Sequence, residues 1–142
     1  MPVLSATVVV PTRGGSQMID LTPRVQALVG EHGFREGQAL VFVPGSTAAI
    51  TTIEFEPGLQ QDLPAALERL APQDLRYAHE ETWHDDNGHS HVRASLLGPS
   101  LVVPFADGGL LLGTWQQIVL VDFDTRPRRR EVVVQLSGER QP

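Results

Sequence analysis

At 142 residues, with 41% hydrophobic and 20% charged side chains, the chain suits one domain that buries roughly two-thirds of its unfolded surface. It has no cysteine, and all 11 of its basic residues are arginines. Disulfides, thiolate metal sites, cysteine nucleophiles, Schiff-base lysines and a P-loop lysine are therefore excluded. A formal net charge of −6 argues against general nucleic-acid binding. No apolar run approaches the roughly 18 residues of a membrane span, and Met1-Pro2-Val3-Leu4 does not open a signal peptide, so a cytoplasmic protein is expected.

In chain order, β-branched Val3 to Val10 reads as a strand. Arg13-Gly14-Gly15-Ser16 is a turn, and Gln17 to Asp20 is expected to return as its hairpin partner. Thr22-Pro23 opens a helix whose Val25, Leu28 and Val29 share a face, with Gly33 as its stop. Gln38 to Val43 is a short buried strand ended by Pro44-Gly45. Ser46 and Thr47 follow that turn. Small hydroxylated residues there can cradle a phosphate, or can simply lead into the Thr-rich strand that runs to Glu54. Asp62 to Leu70 is a short amphipathic helix, with Asp62 as cap and Leu63, Leu67 and Leu70 as its buried stripe.

Trp83 to Gly88 reads as a loop. The next residues alternate. Read as a strand, His89, His91, Arg93 and Ser95 point one way, and Ser90, Val92, Ala94 and Leu96 the other, toward the core. With His79 and His84 just upstream, four of the five histidines fall in thirteen residues. His79, His89 and His91 supply three nitrogen ligands for a divalent ion such as zinc or magnesium. The same imidazoles, with Arg93, could instead grip an anion, or the face could be only a wet sheet surface. Asn87 is placed to orient a histidine or touch ligand. His32 and His84 read as surface residues. No organic cofactor is evident.

The rest is β: Leu101 to Phe105, a turn at Asp107-Gly108-Gly109, Leu110 to Leu112, Gln117 to Phe123, and Glu131 to Leu136. The basic run Arg126 to Arg130 reads as a solvated turn. Two to three short helices early and hairpin-linked strands late predict an α+β fold with a largely antiparallel sheet. Gln117 to Phe123 is apolar on both sides of its alternation, which predicts that one sheet face meets another subunit.

Several blocks in order resemble the YjbQ-like proteins, also called the secondary thiamine-phosphate synthase family. They are Val41-Phe42-Val43-Pro44 into Ser46-Thr47-Ala48-Ala49-Ile50-Thr51 and Glu54; Asp62-Leu63; Tyr77 with His79; and Asn87 through His91. Leu96-Leu97-Gly98-Pro99-Ser100-Leu101, Leu112-Gly113-Thr114-Trp115-Gln116 and Arg128 to Gly138 complete the match, which covers essentially the whole chain. The resemblance implies a small α+β domain with a curved antiparallel sheet, assembled as a homotrimer. It also implies an activity that joins phosphorylated heterocycles, releasing pyrophosphate and making thiamine phosphate. The rival is a non-catalytic metal- or anion-binding protein with the same fold. Glu54, flanked by Ile53 and Phe55 and so expected to be partly buried, is the candidate general base or metal ligand, a role the resemblance favours; His91 is the second candidate catalytic group. Ser46, Thr47, Asn87, Arg93, Ser95 and Gln116 are the candidate contacts to a phosphorylated ligand, with Trp115 beside Gln116 as a wall. Many family members carry histidine where Gly45 stands and asparagine where Ile53 stands, so this chain lacks two polar groups of the family pattern.

Overall fold

All strand pairing is antiparallel, and the strands divide between two sheets rather than one. The computed structural model describes all 142 residues. The elements are β1 (Val3–Thr12), β2 (Gln17–Asp20), α1 (Thr22–Glu31), β3 (Phe34–Phe42), β4 (Ala48–Ile53), α2 (Pro57–Leu70), α3 (His79–Trp83), α4 (Gly88–Leu97), β5 (Ser100–Ala106), β6 (Gly109–Leu110), β7 (Gln117–Asp122) and β8 (Arg128–Arg140). One sheet runs β1-β8-β3-β5-β6 and the other β2-β7-β4. The α+β class is as expected, with four helices. None of them is long and apolar enough to cross a membrane.

The expected hairpin between β1 and β2 does not form. The turn at Arg13–Ser16 carries the chain from one sheet to the other, because the amides of Gly15 and Ser16 bond the carbonyls of Asp124 and Asp122 at 2.8 Å each. β1 pairs instead with β8 over its full length, and β2 with β7.

The layers follow from alternation. Val8 and Val10 of β1, Ala39 and Val41 of β3, Val103 and Phe105 of β5, and Val132, Val134 and Leu136 of β8 face Ala48, Ile50, Ile118 and Leu120 of the small sheet, closed at the side by Val25 and Val29 of α1. On the far side of the small sheet, Met18, Ala49, Val119, Val121 and Phe123 pack against Leu67 of α2 and Ala94 of α4. β7 is thus apolar on both faces because both are covered within the chain. No second subunit is needed to bury it, contrary to the expectation from sequence. The face left open belongs to the large sheet, where Phe42 and Val102 are exposed beside the partly exposed Leu40 and Val133.

The principal correction concerns residues 88–97. They form helix α4, not a strand. Val92 and Leu96 are exposed, whereas His89, Ser90, Arg93 and Ala94 are buried. Ser90, Ala94 and Leu97 meet the core at helical spacing, and Val92 is the only β-branched residue of the segment. α2 also starts earlier than expected. Pro57 takes the first helical position, and the Glu56 carboxylate accepts the amides of Gly58 and Leu59 at 2.8 and 2.5 Å. Leu67 is buried as expected, but Leu70 is exposed.

Gly37 and Gly138 face each other across β3 and β8, beside a bulge between Phe34 and Glu36. A Cβ on Gly138 would run into the Glu36 carbonyl, and its φ of +157° disfavours other residues. Gly138→Ala is therefore expected to cost more than about 1 kcal/mol, read as a lower urea midpoint at unchanged slope.

Candidate functional site

At one end of the two sheets lies a buried polar network. Asp122, the last residue of β7, is fully buried, yet every acceptor position has a partner. Arg130 of β8 grips it with a fork, Nε to Oδ2 at 2.7 Å and Nη2 to Oδ1 at 2.9 Å. The Thr12 hydroxyl of β1 donates to Oδ2 at 2.6 Å and the Asp124 amide to Oδ1 at 3.0 Å. Burial alone would push the Asp122 carboxyl up. The bonds from Arg130, Thr12 and the Asp124 amide outweigh it and hold the group below its ordinary range. Asp124 follows the same logic. Burial raises it, and the Thr125 amide, Arg128 and Thr47 lower it further. Thr47 donates to Asp124 at 3.0 Å and accepts from Arg130 Nη2 at 2.9 Å.

Above this network opens a cleft of about 390 Å³. Its floor is Gly45, Ser46 and Thr47 with Asp124, Arg128 and Arg130. Its far wall is His79 and Trp83 of α3, Asp85 and Asn87 of the loop, and His91 of α4. The His79 and His91 rings stack tilted, with centroids 4.4 Å apart. His79 Nε2 lies 3.2 Å from Asp85 Oδ1, but the pair is not aligned as a hydrogen bond. Three buried polar atoms therefore have no partner: His79 Nε2, Asp85 Oδ1 and Asn87 Oδ1. All three residues line this one cleft, and Asn87 is only 7% exposed. Burial, and then the neighbouring His79, hold the His91 ring below the ordinary histidine value.

The expected residues divide into two sets. Ser46, Thr47, Asn87, His79 and His91 come together at the cleft. His89 does not. Two positions apart on a helix, His89 and His91 point about 200° away from each other. His89 lies instead near Tyr77, ring centroids 6.4 Å apart, and lines separate clefts with Arg13 and Arg126. The three histidines thus do not converge on one ion, and no group of three His, Asp or Glu side chains is close enough to hold a metal unaided. Arg93 is committed to the scaffold. Its Nε donates to the Ala71 carbonyl at 3.0 Å, Nη1 to Ser16 at 3.2 Å, and Nη2 pairs with Glu68. Ser95 is exposed and outside the cleft.

Glu54 is not partly buried. It is exposed just beyond β4, at the end opposite the histidines, and about 20 Å of strand separates the two ends. Gln116 lies at that same far end, bonding Thr52 at 3.2 Å and accepting the Gly113 amide, and Trp115 beside it is exposed. Arg128 and Arg130 went unseen as site residues because their run reads as a solvated turn. The signal was present: Arg130 is in phase with core-facing Val132, Val134 and Leu136. Asp85 and Trp83 had no comparable signal.

These features define a single-domain α+β protein with a polar cleft where its two sheets meet. The chain belongs to the YjbQ-like family, whose model, described as "UPF0047 protein YjbQ-like", matches residues 6–139. A UPF0047 protein of Archaeoglobus fulgidus is 41% identical over 83% of this chain and 89% of its own length. One from Mycobacterium tuberculosis is 42% identical over 82% and 85% respectively. Among solved structures, a hypothetical protein of Aeropyrum pernix superposes with a TM-score of 0.89 at 32% identity, covering 96% of this chain and 99% of the other. A YbjQ-like protein of unknown function from Sulfolobus solfataricus gives 0.86 at 31%, covering 97% and 100%.

Two stability predictions follow from the electrostatics. Asp122→Ala strands the buried Arg130 charge and should cost about 3–5 kcal/mol in denaturant unfolding. His89 is depressed by burial first and by Arg93 next, as His91 is by burial and His79. The unfolded chain then takes up these protons first. The stability is complete above the ordinary value of 6.5 and is lost as pH falls below it. The melting temperature should drop just below pH 6.5, and His89→Gln should flatten that drop.

Proposed function

We propose that the chain binds a small phosphorylated ligand in the His79–His91 cleft and acts as a thiamine-phosphate synthase-like transferase, joining phosphorylated heterocycles with release of pyrophosphate. The observation that carries this reading is the set of three buried, unpartnered polar atoms facing one cleft beside arginines. Buried polar groups without partners are rare and costly, so a ligand that supplies partners gains what they lack. Asp85 Oδ1 and Asn87 Oδ1 call for donors: ligand N–H or O–H groups, or a cation. Arg128 and Ser46 call for an anion.

A divalent cation that accompanies phosphates would fit His79 Nε2, Asp85 Oδ1 and Asn87 Oδ1. Two ligand atoms at about 2.1 Å from one ion stand roughly 3.0–3.4 Å apart, and the unaligned 3.2 Å separation of His79 and Asp85 matches this spacing. Such an ion would neutralise charge on a departing pyrophosphate. His91, neutral at pH 7 because its burial disfavours the charged form, is the side chain placed to accept a proton, and Trp83 offers an aromatic wall to a ring.

A second reading, binding without turnover, draws support from the placement of Glu54 far from the cleft and from the lack of a side chain at Gly45. Incubating the pure protein with the two phosphorylated precursors and magnesium separates the readings. Transfer predicts stoichiometric pyrophosphate, reduced at least about a hundredfold by His91→Ala. Binding alone predicts heat on titration with no pyrophosphate formed.

The homotrimer expected from the resemblance is also proposed, with a different basis from β7. The open face of the large sheet carries Phe42, Val102, Leu40 and Val133 in adjacent rows. Sedimentation at micromolar concentration should give a trimer, and Phe42→Glu a monomer; a wild-type monomer would refute it.

A further inference from the structure

Arg130 is nine-tenths buried, and its donors are unequally used. Nε and Nη2 are locked on Asp122, and Nη2 also serves Thr47. Nη1 has no hydrogen-bond acceptor in the chain. Directly over it stands Gly45, where the first carbon of any side chain would lie 3.0 Å from Nη1. Both residues line the cleft. The lack of a side chain at 45 is therefore what leaves this nitrogen open.

We infer that Gly45 and Arg130 form an oxyanion window in the cleft floor, through which Nη1 donates to a phosphoryl oxygen of the ligand. This rests on the phosphorylated-ligand reading above and names the residue that would hold the anion. The geometry suits that task. The fork to Asp122 fixes the guanidinium plane, so the remaining N–H is aimed before the ligand arrives. Ser46, next in the chain, brings a hydroxyl to the same rim. Asp122 balances most of the Arg130 charge. Counting Asp122 beneath the floor, the site holds one more carboxylate than guanidinium: Asp85, Asp122 and Asp124 against Arg128 and Arg130. The preferred anion is accordingly one that carries its own divalent cation.

The test uses the unaltered chain with magnesium pyrophosphate as probe, followed by calorimetry and by NMR of the arginine guanidinium and histidine ring nitrogens. On saturation the Arg130 Nη signals should shift together with those of His79 and His91. Gly45→Ala, which lays a methyl over Nη1, should weaken binding about ten- to a hundredfold. Arg130→Lys should weaken it similarly. If either variant fails to fold because φ at 45 is +142° or because Asp122 loses its fork, the NMR of the unaltered chain decides. Histidine shifts without any Arg130 shift would overturn the window and leave the cleft reading standing. No binding at millimolar probe would overturn both.

Discussion

The ion pair of Asp122 with Arg130 is the constraint on which the site depends. Asp122 belongs to the small sheet and Arg130 to the large one, and each is at least nine-tenths buried. Taking two charges out of water costs several kcal/mol per ion, and the pair is tolerable only when the geometry is good and the leftover lone pairs are used. Both conditions hold. The fork is bidentate, and Thr12, Thr47 and the Asp124 amide take up the rest. A hydrophobic pair of the same volume could join the sheets at no greater cost. What it could not do is leave a rigid, oriented donor at the surface. That division, with most of the guanidinium given to the fold and one corner left over, ties the architecture to the chemistry of the cleft.

The small sheet makes the arrangement possible. It is a middle layer, with the large sheet and α1 on one side and α2 and α4 on the other. Because α4 lies against this layer through Ser90 and Ala94, its next residue, His91, turns outward over the sheet ends rather than along a sheet face. The helix thereby sets one imidazole beside His79 and sends the other, His89, to a different surface. The short loop from β3 to β4 brings Gly45 and Ser46 to the same end.

Much of the fold was legible in the sequence. The β-branched runs, the Thr22-Pro23 helix start and the two-sided apolarity of β7 are local signals, and the structure uses each of them. The family blocks added the class. The misreadings have physical causes. Over ten residues, alternation and helical spacing select overlapping sets, and Gly88 to Leu97 satisfies enough of both that only tertiary packing decides. The metal set built on His89 failed with that strand. Glu54 misled because a glutamate between apolar neighbours looks internal, whereas β4 has ended before it. Which residues share an end of a sheet depends on the order of strands that are distant in sequence, so Asp85 and Arg128 could join the histidines only once the topology was known.

The crossing at Arg13–Ser16 has a consequence for how the chain is made. Val3 lies opposite Ser137, and Gln17 opposite Asp122. β1 and β2 thus leave the ribosome long before the strands they pair with, β8 and β7. Structure dominated by such distant pairings forms slowly, in milliseconds to seconds rather than microseconds. During synthesis the valine-rich β1 is an unpaired, aggregation-prone edge. Production of the protein should therefore be more sensitive to translation speed and to chaperone supply than a domain of this size built from neighbouring hairpins.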